Sequence, residues 1–276
     1  MSLTEIRVDA RPIALARMCL GAAYLVCLGE VLLVLSGVAA GKLAYPVLEP
    51  LPDVSSGLVA SLTLVGMLAG VLLILGILSS ASAVVGCLVL VVAQLLDQQT
   101  YSNHLILCTL LLAYLAFAKS GSRWGVDARL RGRRDTVPWW PQLLMMSQVA
   151  ICYLFAGLSK INPIFLSGQT LPEFLVIDAP PLVFRALAVA TIATEIFLAV
   201  ALWLPATRRL AVLVGLGLHV GIVVLFDGGW LTFIAFSLLC VATYWMFLMR
   251  PTLSGQSHVM APRSGLPGRI TVGDRG

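Results

Sequence analysis

The sequence predicts an all-α, polytopic transmembrane helical bundle of about eight spans, with both termini in the cytoplasm. Three observations carry this. The 276 residues are 59% apolar and only 11% charged, with a mean hydropathy of +0.98; a soluble domain carries about 25% charged and 45–50% apolar residues. The apolar residues come in continuous runs near the ~20 residues that a helix needs to cross a bilayer, not in the alternating segments of an outer-membrane barrel. The basic residues alternate between loops. Together these exclude a soluble globular enzyme, a disordered chain and a nucleic-acid module.

Eight runs are candidates for spans. In order they are about Ile13 to Ala40, Leu58 to Leu78, Ala81 to Leu96, Asn103 to Ala118, Gln142 to Leu158, Leu182 to Leu204, Leu210 to Phe226 and Trp230 to Met249. The third and fourth are short, and a re-entrant hairpin is the alternative for that pair. Residues 1–12 form a polar N-terminal tail and 13–249 a single membrane domain. Residues 250–276, rich in Gly, Pro, Ser and Arg, read as a disordered tail. The first apolar run is too long for the core of a cleaved signal.

Charge orients the bundle. With the N-terminus in the cytoplasm, fourteen of the eighteen Lys and Arg residues fall on the cytoplasmic side, six of them between Lys119 and Arg134. Only Lys42 and Lys160 fall in the opposite loops, as the positive-inside rule requires. Trp139 and Trp140 beside the basic loop read as an interfacial anchor. The net charge of +5 therefore reports topology and gives no reason to expect nucleic acid. The six cysteines lie in apolar runs without a CxxC pair, which predicts small buried hydrophobes and no metal centre. Gly66–Gly70 and Gly217–Gly221 have GxxxG spacing, expected to serve helix packing within the bundle.

Ionisable residues at membrane depth are costly and point to function by default. The candidates are Arg17, Glu30, His104, Lys160, Arg185, Glu195 and His219. Arg17 is expected to snorkel toward the cytoplasm; Arg185 and Glu195 are expected to find structural partners. Asp97, Asn103, His104, Lys160 and Asp227 mark the ends of spans on the non-cytoplasmic side, and that clustering is the main clue to a site. Beside Lys160, Asn162-Pro163 and Gly168 break the helix, and broken helices at membrane depth line cavities or are buried in protein. A lysine desolvated there is a neutral amine and a usable general base; the bland alternative is a lysine snorkelling to the interface.

At these residues a family comes into view. Gln148 to Gly168, containing Tyr153, Ala156-Gly157 and Lys160, resembles the "Y-x-x-AG-x-x-K…W-x-x-G" segment of the vitamin K-dependent gamma-carboxylase superfamily. That superfamily includes the bacterial HTTM (horizontally transferred transmembrane) proteins. Arg123 to Arg134 is similar to its "S-x-D…RR" loop, Asn103-His104 to its Asn-His pair, and the helix around His219 to a later His helix. Phe165 stands where the family often has Trp.

The resemblance implies that Lys160 and His104 are catalytic, with Lys160 as the base on a quinol and His104 assisting. It implies substrate or quinone binding by Asn103, His219 and Tyr153. The cofactor would be a vitamin K- or menaquinol-type quinol, with oxygen and carbon dioxide as co-substrates and no metal. The enzyme would be a quinol-dependent carboxylase or epoxidase in a bacterial plasma membrane. The carboxylase carries a large soluble domain after its membrane part, whereas this sequence stops soon after Met249. The alternative is therefore a non-catalytic accessory protein for peptide maturation or export, or for quinone binding. Its partners, besides the bilayer, would be a peptide substrate or a separate soluble or membrane protein.

Overall fold

The computed structural model describes residues 3–48 and 53–253. Ten helices are assigned there: α1 (Ala10–Ala39), α2 (Ser56–Leu75), α3 (Ser79–Leu96), α4 (Asn103–Phe117), α5 (Val126–Leu130), α6 (Trp140–Ser159), α7 (Pro163–Leu166), α8 (Pro181–Ala201), α9 (Arg208–Leu225) and α10 (Trp230–Leu248). Seven of them, α1, α2, α3, α6, α8, α9 and α10, are long and apolar enough to cross a membrane. With 74% of the structure helical, the class is an all-α bundle, and the chain is a multi-pass membrane protein. The eighth expected span is α4, apolar but only 15 residues long.

Three short strands, which the sequence does not announce, settle how the ends are arranged. They are β1 (Ile6–Asp9), β2 (Thr136–Pro138) and β3 (Thr252–Leu253), in the order β2-β1-β3. Val8 pairs with Val137 and Arg7 with Thr252, both antiparallel. The N-terminal segment, the loop before α6 and the segment after α10 thus share one face, the face that carries the basic loops. β1 falls within the stretch read as a polar N-terminal tail, and β3 within the one expected to be disordered; of that second tail, residues 254–276 lie outside the described residues.

The α3–α4 turn reaches the opposite face. Asp97 is fully buried there and accepts hydrogen bonds from the N–H groups of Tyr45 and Gln99, both at 2.8 Å. Tyr45 lies in the loop that follows α1, and its carbonyl accepts from the Gln98 N–H at 2.7 Å. The turn therefore meets the far end of α1, and α3 and α4 cross the bundle rather than folding back as a re-entrant hairpin.

α1 runs through the middle, packed on α2 and α10, with Ile13, Leu20, Tyr24 and Leu28 buried. Gly66 and Gly70 let α2 approach it: a Cβ on Gly66 would sit 2.7 Å from Leu28 Cδ2. The second GxxxG pair corrects expectation, because a Cβ on Gly217 or Gly221 would meet nothing within 4 Å. Arg17 does not snorkel. It is fully buried, and its guanidinium donates to the Leu73, Ile74 and Trp124 carbonyls, satisfying groups that the end of α2 leaves open. Gly76, in the left-handed region at φ +69°, makes room; a Cβ there would lie 2.6 Å from Arg17 Nη1.

The basic loop closes the same end. Asp127 accepts from the N–H groups of Leu78 and Ser79 and from the Ser79 hydroxyl, at 2.8 to 2.9 Å. It thereby caps α3 from 48 residues away. Burial pushes the Asp127 carboxyl up, but the hydrogen bonds from Ser79 and Leu78 outweigh it and hold the group below its ordinary value.

Candidate functional site

Lys160 stands just past the last turn of α6, at the face opposite the basic loops. The helix stops there because Asn162 adopts an extended conformation before Pro163, as a residue preceding proline prefers. The Asn162 side chain then caps α7, accepting from the Phe165 N–H at 2.9 Å. The Lys160 ammonium folds back on its own helix and donates to the Ala156 carbonyl at 3.2 Å. It also donates to both carboxylate oxygens of Glu195 on α8, at 2.7 and 2.8 Å. The Glu195 side chain is 9% exposed and that of Lys160 27%.

The residues before Lys160 build this contact. Gly157 is buried where α6 meets α8, and a Cβ there would fall 2.8 Å from Ile196 Cγ1. The Ala-Gly pair therefore does two jobs: Ala156 supplies a carbonyl to the lysine, and Gly157 lets α8 come close enough for Glu195 to reach it. Lys160 is consequently not the isolated desolvated amine that its sequence neighbourhood suggests, but one half of an ion pair.

The pair lies on the wall of a cavity of about 420 Å³, within the range of small-molecule pockets. α8 contributes Thr191, Thr194 and Glu195, α9 contributes Gly221, and α10 contributes Phe233 and Phe236. Phe165, Leu171 and Leu175 close it from the α6–α8 connection, the Phe165 ring centroid lying 6.0 Å from the Lys160 ammonium. That connection is tied down. The Val176 N–H donates to the Leu225 carbonyl at 2.9 Å, and the Asp227 N–H to that of Phe174 at 2.8 Å. Gly168, at φ +72°, presses on the first turn of α8, where a Cβ would meet the Arg185 nitrogen at 2.6 Å.

The other expected residues lie elsewhere. His104, in the first turn of α4, places Nε2 2.7 Å from Glu30 of α1 and Nδ1 3.1 Å from the Ser102 hydroxyl. The Thr232 hydroxyl of α10 donates to the second Glu30 oxygen at 2.8 Å. This cluster ties three helices together and shares no hydrogen bond with Lys160 among the described residues. Asn103 is exposed at the start of α4.

Tyr153 and His219 form a third, buried cluster. The Tyr153 hydroxyl lies 2.7 Å from His219 Nε2 and 2.5 Å from the Tyr244 hydroxyl, joining α6, α9 and α10. A chain in which Tyr244 donates to Tyr153, and Tyr153 to His219, uses both hydroxyl protons and leaves the imidazole proton on Nδ1. Neither Tyr153 nor His219 lines the Lys160 cavity.

Reasoning from sequence leaves Glu195 out of the site and omits Tyr244. A signal for Glu195 exists, because a carboxylate in mid-span requires a cation, and Lys160 is a lysine at membrane depth. Arg185, the other residue expected to find a partner, is exposed at the start of α8. Among the described residues no group of His, Cys, Asp and Glu could hold a metal. Residues 7–250 match the family described as the HTTM domain. No solved structure matches the chain.

Proposed function

Because the chain belongs to the HTTM family, and so is a membrane protein related to the membrane domain of the gamma-carboxylase, we propose that it is a membrane enzyme that deprotonates a lipid-soluble hydroxyl compound with Lys160. One observation carries this reading: the Lys160–Glu195 pair is the charged corner of an otherwise largely apolar 420 Å³ cavity at the end of a broken helix. An amphipathic aromatic substrate fits such a lining, with its ring among Phe233, Phe236 and Leu175 and its hydroxyl toward the lysine. A vitamin K- or menaquinol-type quinol, when bound, would supply the acidic hydroxyl and the reducing electrons, with oxygen and carbon dioxide as co-substrates.

Glu195 has a definite task in this reading. An ammonium cannot accept a proton, so Lys160 must first release one. The carboxylate at 2.7 Å is the group positioned to take it, and the free amine then accepts the substrate's proton. His104 is assigned to holding α1, α4 and α10, and Tyr153 and His219 to the core beneath the cavity. The setting would be a bacterial cell membrane.

A second reading has its own observation. The grip of both Glu195 oxygens on Lys160 also suits a structural strut. The protein would then be a non-catalytic accessory in peptide maturation or export, or a quinone-binding subunit, acting with a peptide or a separate protein. Oxygen-dependent oxidation of naphthoquinol by purified protein in nanodiscs separates the two. General-base removal costs about a hundredfold or more, so Lys160→Met is expected to lose at least that. Full turnover in Lys160→Met, or none in the wild type, favours the accessory reading.

A further inference from the structure

The basic loop holds a second concave site, on the opposite face from Lys160. A cleft of about 510 Å³ opens between the end of α2 and the segment around α5, lined by Leu75, Trp124, Arg123, Arg129 and Arg133. No acidic residue lines it. Arg123 pairs with Asp135 at 3.2 Å, while its Nε is buried without a partner among the described residues. Arg129 and Arg133 have no carboxylate partner among those residues. Asp127, two residues from Arg129, is spent on capping α3, and Asp135, two residues from Arg133, pairs with Arg123.

We propose that this cleft binds the headgroup of an anionic phospholipid from the leaflet on the basic face. Positive-inside topology asks only for charge in the loop; it does not ask three guanidinium groups to converge on one cavity. Guanidinium forks bind phosphate oxygens bidentately. The apolar part of the lining selects a lipid over free phosphate. Leu75 is the last residue of the membrane-crossing α2 and is 50% exposed, and Trp124 is 49% exposed. Both present exposed apolar surface beside the arginines, as an acyl chain below a bound headgroup requires and as a phosphate ion does not.

The test is native mass spectrometry of the delipidated full chain, offered equimolar phosphatidylglycerol and phosphatidylcholine with the same acyl chains. The wild type is expected to retain phosphatidylglycerol about tenfold over phosphatidylcholine. Arg129→Gln/Arg133→Gln is expected to bring the two to parity, and Arg129→Lys/Arg133→Lys to retain part of the preference. Arg209→Gln/Arg250→Gln removes the same charge from the same face and is expected to leave the preference intact. Parity in the wild type, an equal loss in the Arg209/Arg250 control, or displacement of phosphatidylglycerol by equimolar inorganic phosphate would each overturn the proposal. All four substituted arginines are exposed, and a matching melting temperature shows that each variant is folded.

Discussion

Glu195 meets Lys160 with both carboxylate oxygens across 35 residues of sequence, at 2.7 and 2.8 Å. The contact exists because α6 carries glycine where α8 crosses it. Gly157→Val is therefore expected to push α8 away from α6. Overpacking of this kind costs about 1–3 kcal/mol, read as a lower melting temperature, and turnover should fall further than stability does. Wild-type turnover in a stable Gly157→Val protein would show that the close approach is not needed.

Gly221 faces the cavity with open space where a side chain would go. Gly221→Leu is expected to fill that space without disturbing the bundle, leaving the melting temperature close to that of the wild type. The KM for naphthoquinol should rise about tenfold, the effect of losing about 1.4 kcal/mol of contact. An unchanged KM would place the substrate elsewhere.

His104 and Glu30 join α4 to α1, and Thr232 adds α10. His104→Ala leaves Glu30 half-buried without its main partner, which costs about 1–3 kcal/mol. Chemical unfolding in detergent measures that loss. Turnover per folded molecule should stay within about twofold of the wild type, as for a residue that does not touch the reacting atoms. A loss of turnover comparable to that of Lys160→Met, at unchanged stability, would return His104 to the reacting site.

Much of this architecture is legible in the sequence, and the exceptions share a cause. The apolar runs report the spans because each helix must satisfy its own backbone in hydrocarbon. The strands of two to four residues are too short for a period to emerge. Gly66–Gly70 and Gly217–Gly221 have the same spacing, yet the first faces α1 and the second faces open space; spacing cannot say which face of a helix turns inward. The same limit hides the division of the site. Lys160 and His104 both stand on the face opposite the basic loops, but one reaches α8 and the other α1. Asp127 and Arg17 read as loop and span charges, and both prove to be caps for helices distant in sequence.

Asp127 also gives the fold an acid limit. Its folded-state pKa lies below the ordinary value of 3.8, so its contribution is present above that value and lost as pH falls through the lowered one. The α2–α3 turn should thus hold through neutral and mildly acidic pH and loosen below about pH 4. Asp127→Ala should lose about 1–2 kcal/mol at neutral pH, as for removal of a helix cap, and should lose less of its remaining stability on acidification. Identical acid-unfolding profiles for the variant and the wild type would rule out this role.

A base at Lys160 acts from its own position, and exchanging the two members of the pair separates that role from a structural one. Lys160→Glu/Glu195→Lys keeps one cation and one anion in contact at the same place, so a merely structural strut survives the exchange. With naphthoquinol in nanodiscs, the exchanged protein is expected to melt near the wild-type temperature and to consume no oxygen. Wild-type oxygen uptake by that variant would show that Lys160 is not the base.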